Sequence, residues 1–285
     1  MEEAGPAPAR GGSSARARID RAGPLLVAFG RFGYAVEGLV FILVGALAAR
    51  VALGFGGEVA DNRGALPPLA AAPLGRILLI AIAVGFVGYA TWRFLEAAFD
   101  PDGRRGGAYR PLMRLGNALN GALHLGFAAG VARLLLTGSA GANTDATAKG
   151  VAGALLGVPH GRWLVGLVGL GVLGFAGYQL FQALVAKFRE NARLRRMGAA
   201  QVRWYTALGR MGFAARGVAF ASSGLFLLGA ARDADAGEAR GLDTALDDLA
   251  TRPLGPWLLG AVALGLVAYG LFLLAEARFH RVAVT

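Results

Sequence analysis

Gly30-Arg31-Phe32-Gly33-Tyr34-Ala35-Val36-Glu37-Gly38 opens a long apolar segment, and the chain returns to the same pattern twice. The near copy is Gly209-Arg210-Met211-Gly212-Phe213-Ala214-Ala215-Arg216-Gly217. A looser one is Met113-Arg114-Leu115-Gly116-Asn117-Ala118-Leu119-Asn120-Gly121, where Asn117 takes the place of the aromatic. Each opening is followed by a polar loop and then by a second signature, Pro73-Leu74-Gly75, Pro159-His160-Gly161 or Pro253-Leu254-Gly255. A second apolar segment begins there. Such internal periodicity decides the architecture before any local reading does.

The apolar segments are long enough to settle the class. A helix crosses a hydrocarbon core of ~30 Å with about 20 residues. The 285-residue chain is 55% hydrophobic and only 16% charged, which argues against soluble domains. The expected spans run from 26 or 32 to 53, then over 74–99, 115–136, 162–188, 211–231 and 256–279. The predicted fold is all-α and integral to the membrane: six transmembrane helices forming three parallel two-helix repeats. Repeats of two spans all enter with the same orientation, which implies a pseudo-threefold axis along the membrane normal.

The layout that follows has a disordered basic cytoplasmic tail (1–24), repeat 1 (25–99), a cytoplasmic loop (100–111), repeat 2 (112–188), a basic cytoplasmic linker (189–207) and repeat 3 (208–279). The tail is rich in Ala, Gly, Pro, Ser and Arg and has little to bury. The opening Met1-Glu2-Glu3 has the wrong charge for a signal peptide, so the first span is expected to direct insertion.

A net charge of +11 invites a nucleic-acid reading, but its placement argues against one. Arg10, Arg16, Arg18 and Arg21, then Arg104, Arg105 and Arg110, then Lys187 to Arg203, then Arg278 and Arg281 all fall on one side of six spans. Lys and Arg in short loops mark the cytoplasmic face, so both termini are expected there. An odd number of spans would scatter these segments. The stretch 186–208, basic with Phe188, Leu194, Met197, Trp204 and Tyr205 interspersed, could lie on anionic lipids, or be an ordinary positive-inside loop. Trp163 and Trp257 fall where an outer aromatic belt sits, and Trp92 and Trp204 where an inner one does. The short apolar runs 65–72, 147–158 and 242–251 cannot span and are expected at the outer interface.

The chain has no cysteine and three histidines, so thiol nucleophiles and thiolate metal sites are excluded. No zincin, P-loop or nucleophile-elbow motif is present. Gly169-Leu170-Gly171-Val172-Leu173-Gly174 imitates a dinucleotide fingerprint but lies inside a span, without its strand. No catalytic residue, metal site or cofactor is expected, and no enzymatic activity.

The repeats resemble a bacterial membrane family described as domain of unknown function 1206. The resemblance rests on Gly-Arg-x-Gly-(Tyr/Phe)-Ala-x-x-Gly at 30–38 and 209–217, on Ala65-Leu66 and Pro73-Leu74-Gly75-Arg76 with their third-repeat partners, and on 145–150 with Gly161-Arg162-Trp163-Leu164. It covers nearly all of 29–279. It implies three tandem two-helix repeats in the bacterial inner (plasma) membrane, and no activity.

Superposing the repeats picks out the polar positions within spans. Glu37, Asn120 and Arg216 are equivalent on the odd spans, about two turns from the cytoplasmic end. Arg93, Gln179 and Leu273 are equivalent on the even spans, as are Glu96, Gln182 and Glu276 one turn on. Tyr89, Phe175 and Tyr269 lie a turn above. An ionisable group in a span is costly unless paired, so Glu37 and Arg216 are expected partners across the axis, with Asn120 beside them. His124, equivalent to Phe41 and Phe220, reads as a hydrogen-bonded core histidine. The cluster Glu37, Asn120, Arg216, Arg93, Glu96, Gln179, Gln182 and Glu276 has two readings. It fixes the registration of similar repeats in a structural or accessory protein, or it lines a path for an ion, proton or small polar solute. The mainly apolar outer halves of the spans lean toward the first. Besides the lipid bilayer, a homo-oligomer or a membrane partner protein is compatible with the sequence.

Overall fold

The computed structural model describes residues 11–55, 75–99, 110–138, 144–192, 194, 197–241, 244, 248 and 254–279. Seven α-helices carry the described chain: α1 (Gly11–Ala52), α2 (Gly75–Phe99), α3 (Arg110–Thr137), α4 (Thr144–Leu156), α5 (Gly161–Val185), α6 (Ala199–Asp233) and α7 (Gly255–Phe279). Among the described residues no strand is present. All but α4 contain a segment long and apolar enough to cross a membrane, six in total. The short α4 takes the place of the middle outer run. The outer runs 65–72 and most of 242–251 lie outside the described residues.

The Pro-x-Gly signatures set the starts of the even spans, though not by placing proline in the first turn. The helix starts at the glycine, and the middle residue turns left-handed: His160 has φ 61° and Leu254 φ 63°. Gly161 is required because a Cβ there would run into the carbonyl oxygen of Leu155. Its N–H instead reaches Val158 O at 2.9 Å, closing the reversal out of α4.

Three boundaries differ from expectation. First, α1 begins at Gly11, so residues 11–24 are helical rather than a disordered tail. Ala15, Arg16, Ala17 and Arg18 are strong helix formers, and extending an existing span needs no nucleation. Residues 1–10 lie outside the described residues. Second, α5 ends at Val185, short of 188, because Ala186 turns left-handed at φ 53° and returns its N–H to Gln182 O at 2.9 Å. Third, α6 starts at Ala199, so residues 199–207 belong to the helix rather than to a linker. The Gly198 N–H donates to Gln201 Oε1 at 3.0 Å at that start. At 1.5 Å per residue α6 is about 52 Å long, well beyond the hydrocarbon thickness.

Of the apolar residues singled out in 186–208, Trp204 is exposed and the other four pack on the protein. Phe188 and Tyr205 are buried, and Phe188 stacks on Phe213 at 5.2 Å and meets Phe272 at 5.1 Å. Leu194 and Met197 pack on the same core. They pack where the start of α6 meets the end of α7, where burial in protein is available to them. Lys187, Arg189, Arg203 and Arg210 stay exposed. Trp163, Trp204 and Trp257 are exposed as interfacial anchors would be, but Trp92 is buried and donates its indole N–H to Glu96 Oε1 at 2.9 Å.

The six spans follow one another in cyclic order. α1 packs on α2 and on α7, α2 on α3, α5 on α6, and α6 on α7. The seam from each even span to the next odd span is the same seam three times. A Cβ on Gly121 would come 3.1 Å from Phe94, one on Gly217 2.6 Å from Leu180, and one on Gly38 2.7 Å from the Gly270 carbonyl. Close backbone approach of this kind is how helices associate where lipid removes the hydrophobic drive. Equivalent ring pairs sit above: Tyr89–His124 at 4.3 Å, Phe175–Phe220 at 5.0 Å and Tyr269–Phe41 at 4.9 Å. The last of these seams joins the end of the chain to its beginning, while the order stays open between α3 and α5. Ala215, Ala219 and Ser223, small residues at helical spacing, are buried in the α6 core, and Ala215 sits against Gly265 of α7.

Candidate functional site

The polar positions singled out by the repeats lie inside this arrangement, and the neighbours they meet are partly unexpected. Glu37 of α1 is buried at 4% exposure. Its carboxylate lies 3.5 Å from Nε2 of His124 on α3. No direct Glu37–Arg216 ion pair forms; the expected pairing across the axis is replaced by one with the neighbouring repeat's histidine. The reason is reach. His124 sits one turn beyond Asn120 and is held by a hydrogen bond between Nδ1 and the Asn120 carbonyl oxygen at 2.8 Å, which aims Nε2 at α1. Rings of Phe86, Tyr89 and Phe127 enclose the imidazole.

Arg216 turns instead toward α7, where it donates to the Tyr269 hydroxyl. Its guanidinium also lies 4.5 Å from the Tyr269 ring centroid and 5.4 Å from that of Phe41. A cation over aromatic faces gains ~2 kcal/mol or more when desolvated. The first repeat achieves the same end by another route. Tyr89 accepts at 2.5 Å from Arg93, which lies one turn on along the same helix, and Arg93 also binds Glu96 at 2.8 Å. Each of the two tyrosine hydroxyls therefore meets a guanidinium, supplied by the even span in repeat 1 and by the odd span in repeat 3.

Glu276, equivalent to Glu96, accepts from the Tyr205 hydroxyl of α6. Gln179 and Gln182 of α5 are buried, yet the Gln179 amide nitrogen and the Gln182 amide oxygen have no hydrogen-bond partner. Neither is hydrogen-bonded through these atoms to the Glu37 group. Asn120 is half-buried and contributes through its backbone. Sequence reasoning assigned neither His124 to Glu37 nor Tyr205 to Glu276. The first left a trace, as the sole polar residue in a row otherwise phenylalanine, and the second left none.

Beyond the cluster, toward the C-terminal end of α1, the core is apolar: Val40, Val44, Ala48, Phe86 and Val131 are each 1% exposed or less. Among the described residues no group of three or more metal-ligating side chains occurs. Asp235 uses one carboxylate oxygen to accept from the Gly237 N–H at 2.8 Å.

Three tandem pairs of apolar spans around a buried polar cluster define a multi-pass membrane protein built by triplication. The segments 32–100, 115–186 and 211–280 match the family described as Domain of Unknown Function (DUF1206), one segment per repeat. The chain belongs to that family. It is 34% identical over 258 residues to "Uncharacterized protein YxxB" of Bacillus subtilis (strain 168), covering 90% of this chain and 92% of the relative. No solved structure matches it.

Proposed function

We propose that the protein is a structural or accessory component of a bacterial inner membrane, with both termini cytoplasmic, and that its polar cluster is an internal brace. The observation that carries this reading is the supply of a partner to every charged member from within the protein: His124 to Glu37, Tyr89 and Glu96 to Arg93, Tyr269 to Arg216 and Tyr205 to Glu276. In a bilayer such pairs fix the register of helices whose apolar faces are interchangeable between repeats. Among the described residues the core above the cluster is apolar, which offers a solute no polar path beyond it. The same reading assigns the protein no catalysis.

The test is flux. Purified protein in vesicles is expected to pass protons, sodium and potassium no faster than protein-free vesicles, while Glu37→Gln lowers the melting temperature. Flux above background that Glu37→Gln removes would overturn the reading. A reporter fused after Phe279, active only on the cytoplasmic side, checks the orientation.

One observation favours the second reading, a conduit for a proton or small polar solute. Glu37 Oε2, His124 Nε2, Arg93 Nε and Arg216 Nε are all buried without a hydrogen-bond partner. Such atoms are what a hydrated or solute-bearing site would satisfy.

A further inference from the structure

The cyclic order is broken at one place, between the two spans of the middle repeat. α1 packs on α2 and α6 on α7, but α3 and α5 are not packed on one another. The residues that make the two existing seams are nevertheless present. In repeat 1 a Cβ on Gly33 would lie 2.7 Å from the Tyr89 backbone N, and in repeat 3 one on Gly212 would lie 2.6 Å from Tyr269 Cα. In the other direction Gly85 receives Val36, and Gly265 receives Ala215. The middle repeat has Gly116 and Gly171 at these positions, and neither would have anything within 4 Å of an added Cβ. Leu119, equivalent to the buried Val36 and Ala215, is 57% exposed, and Phe175, equivalent to the buried Tyr89 and Tyr269, is 42% exposed.

Two sequence changes account for the opening. The T-shaped contacts Tyr34–Tyr89 at 5.2 Å and Phe213–Tyr269 at 5.5 Å have no counterpart, because Asn117 stands where the odd-span aromatic should be. Leu119 is also a larger side chain to seat against Gly171 than Val36 or Ala215 is against its glycine. The middle seam is thus weakened, while its two halves remain complementary to each other. Neither half is complementary to itself: α3 carries the odd-span half and α5 the even-span half.

We propose that this open face binds a second copy of the same chain, α3 of each protomer seating on α5 of its partner. The occupant is specified by the chain's own template, since the partner that fits the α3 face is an α5 face, as α1 fits α2 and α6 fits α7. A twofold axis along the membrane normal brings both pairs together at once and keeps each antiparallel, as in the internal seams. Such an isologous contact is closed and needs no third copy. Each seam is weaker than its internal counterparts, but the symmetry makes it twice. This goes beyond the brace reading and does not depend on it.

The chain has no cysteine, so engineered pairs report without background. Leu119→Cys and Gly171→Cys, placed in one chain and oxidised in native membranes, are expected to give a covalent dimer. Differently tagged L119C and G171C chains, co-expressed, are expected to give the mixed dimer. The equivalent pair V36C with G85C should bridge within one chain and sets the efficiency. A bridge within the monomer at 119 and 171 would overturn the proposal, since the chain would then close on itself. No bridge, while the control forms one, would overturn it too. Independently, the native protein in nanodiscs is expected at dimer mass, and Gly171→Leu at monomer mass but still folded, because position 171 is open in the protomer. A native protein found only as a monomer would overturn the proposal.

Discussion

The imidazole of His124 on the third helix lies 3.5 Å from the carboxylate of Glu37 on the first, with both side chains buried. The two repeats are thereby joined by an acid and a base rather than by apolar packing alone. Phe41 and Phe220 occupy the equivalent positions in the other repeats, so a phenyl ring fits where the imidazole stands. His124→Phe should therefore fold but leave Glu37 without its nearest partner. Stranding one buried member of a polar pair costs about 1–3 kcal/mol. The single variant is expected to melt lower in detergent, and adding Glu37→Gln should recover part of the loss. Additive losses in the double variant would show that the two groups are uncoupled.

The charge-swapped pair gives a second, opposite expectation. If Glu37 and Arg216 were direct partners, Glu37→Arg with Arg216→Glu would restore stability lost in either single variant. In the structure an arginine at 37 would face His124, and a glutamate at 216 would lie among the rings of Phe41, Phe220 and Tyr269. The double swap is expected to melt no higher than the worse single variant. Recovery to within a few degrees of the native protein would restore the simpler pairing.

That simpler pairing is what the repeats alone suggest, and its failure marks how far the sequence reaches. Span count and the threefold repeat were legible because each is a periodicity. Glycine, proline and charge recur at fixed offsets such as 33, 116 and 212. Partner choice within the cluster was not legible, because it depends on side-chain reach across an axis: Arg216 finds Tyr269, and His124 finds Glu37. Nor was the exchange of arginine between odd and even spans, since equivalence of position does not imply equivalence of neighbour. The packing within the basic stretch 186–208 was not legible for a related reason. Its Phe188 and Tyr205 are spaced for either lipid or protein, and only the fold shows Phe213 and Phe272 waiting for them.

The two tyrosine–guanidinium contacts carry the third prediction. Tyr269→Phe keeps the ring under Arg216 but removes the acceptor, leaving a buried charged donor short of a partner. Hydrogen bonds to charged groups contribute about 1.5–3 kcal/mol. Tyr89→Phe should cost less, because Arg93 retains Glu96 at 2.8 Å. Thermal melts of the two variants rank them directly, and an equal or reversed ranking would mean that Glu96 does not share the load.

The glycines supply the sharpest contrast within one chain. Gly33, Gly116 and Gly212 are equivalent in sequence, and propensity alone would favour alanine at all three by about 1 kcal/mol, as at any mid-helix glycine. Packing separates them. At Gly33 and Gly212 a methyl group would press on the backbone of Tyr89 and Tyr269, which cannot yield as a side-chain tip could. Overpacking of this kind costs about 1–3 kcal/mol or more. At Gly116 nothing lies within 4 Å, so only the propensity gain remains within the protomer. Gly33→Ala and Gly212→Ala are therefore expected to lower the melting temperature, and Gly116→Ala to leave it unchanged or raise it slightly when measured on detergent-isolated monomers. If Gly116→Ala destabilised the monomer as much as Gly33→Ala does, the middle seam would have to be closed inside the chain, and the open edge between α3 and α5 would not exist in solution.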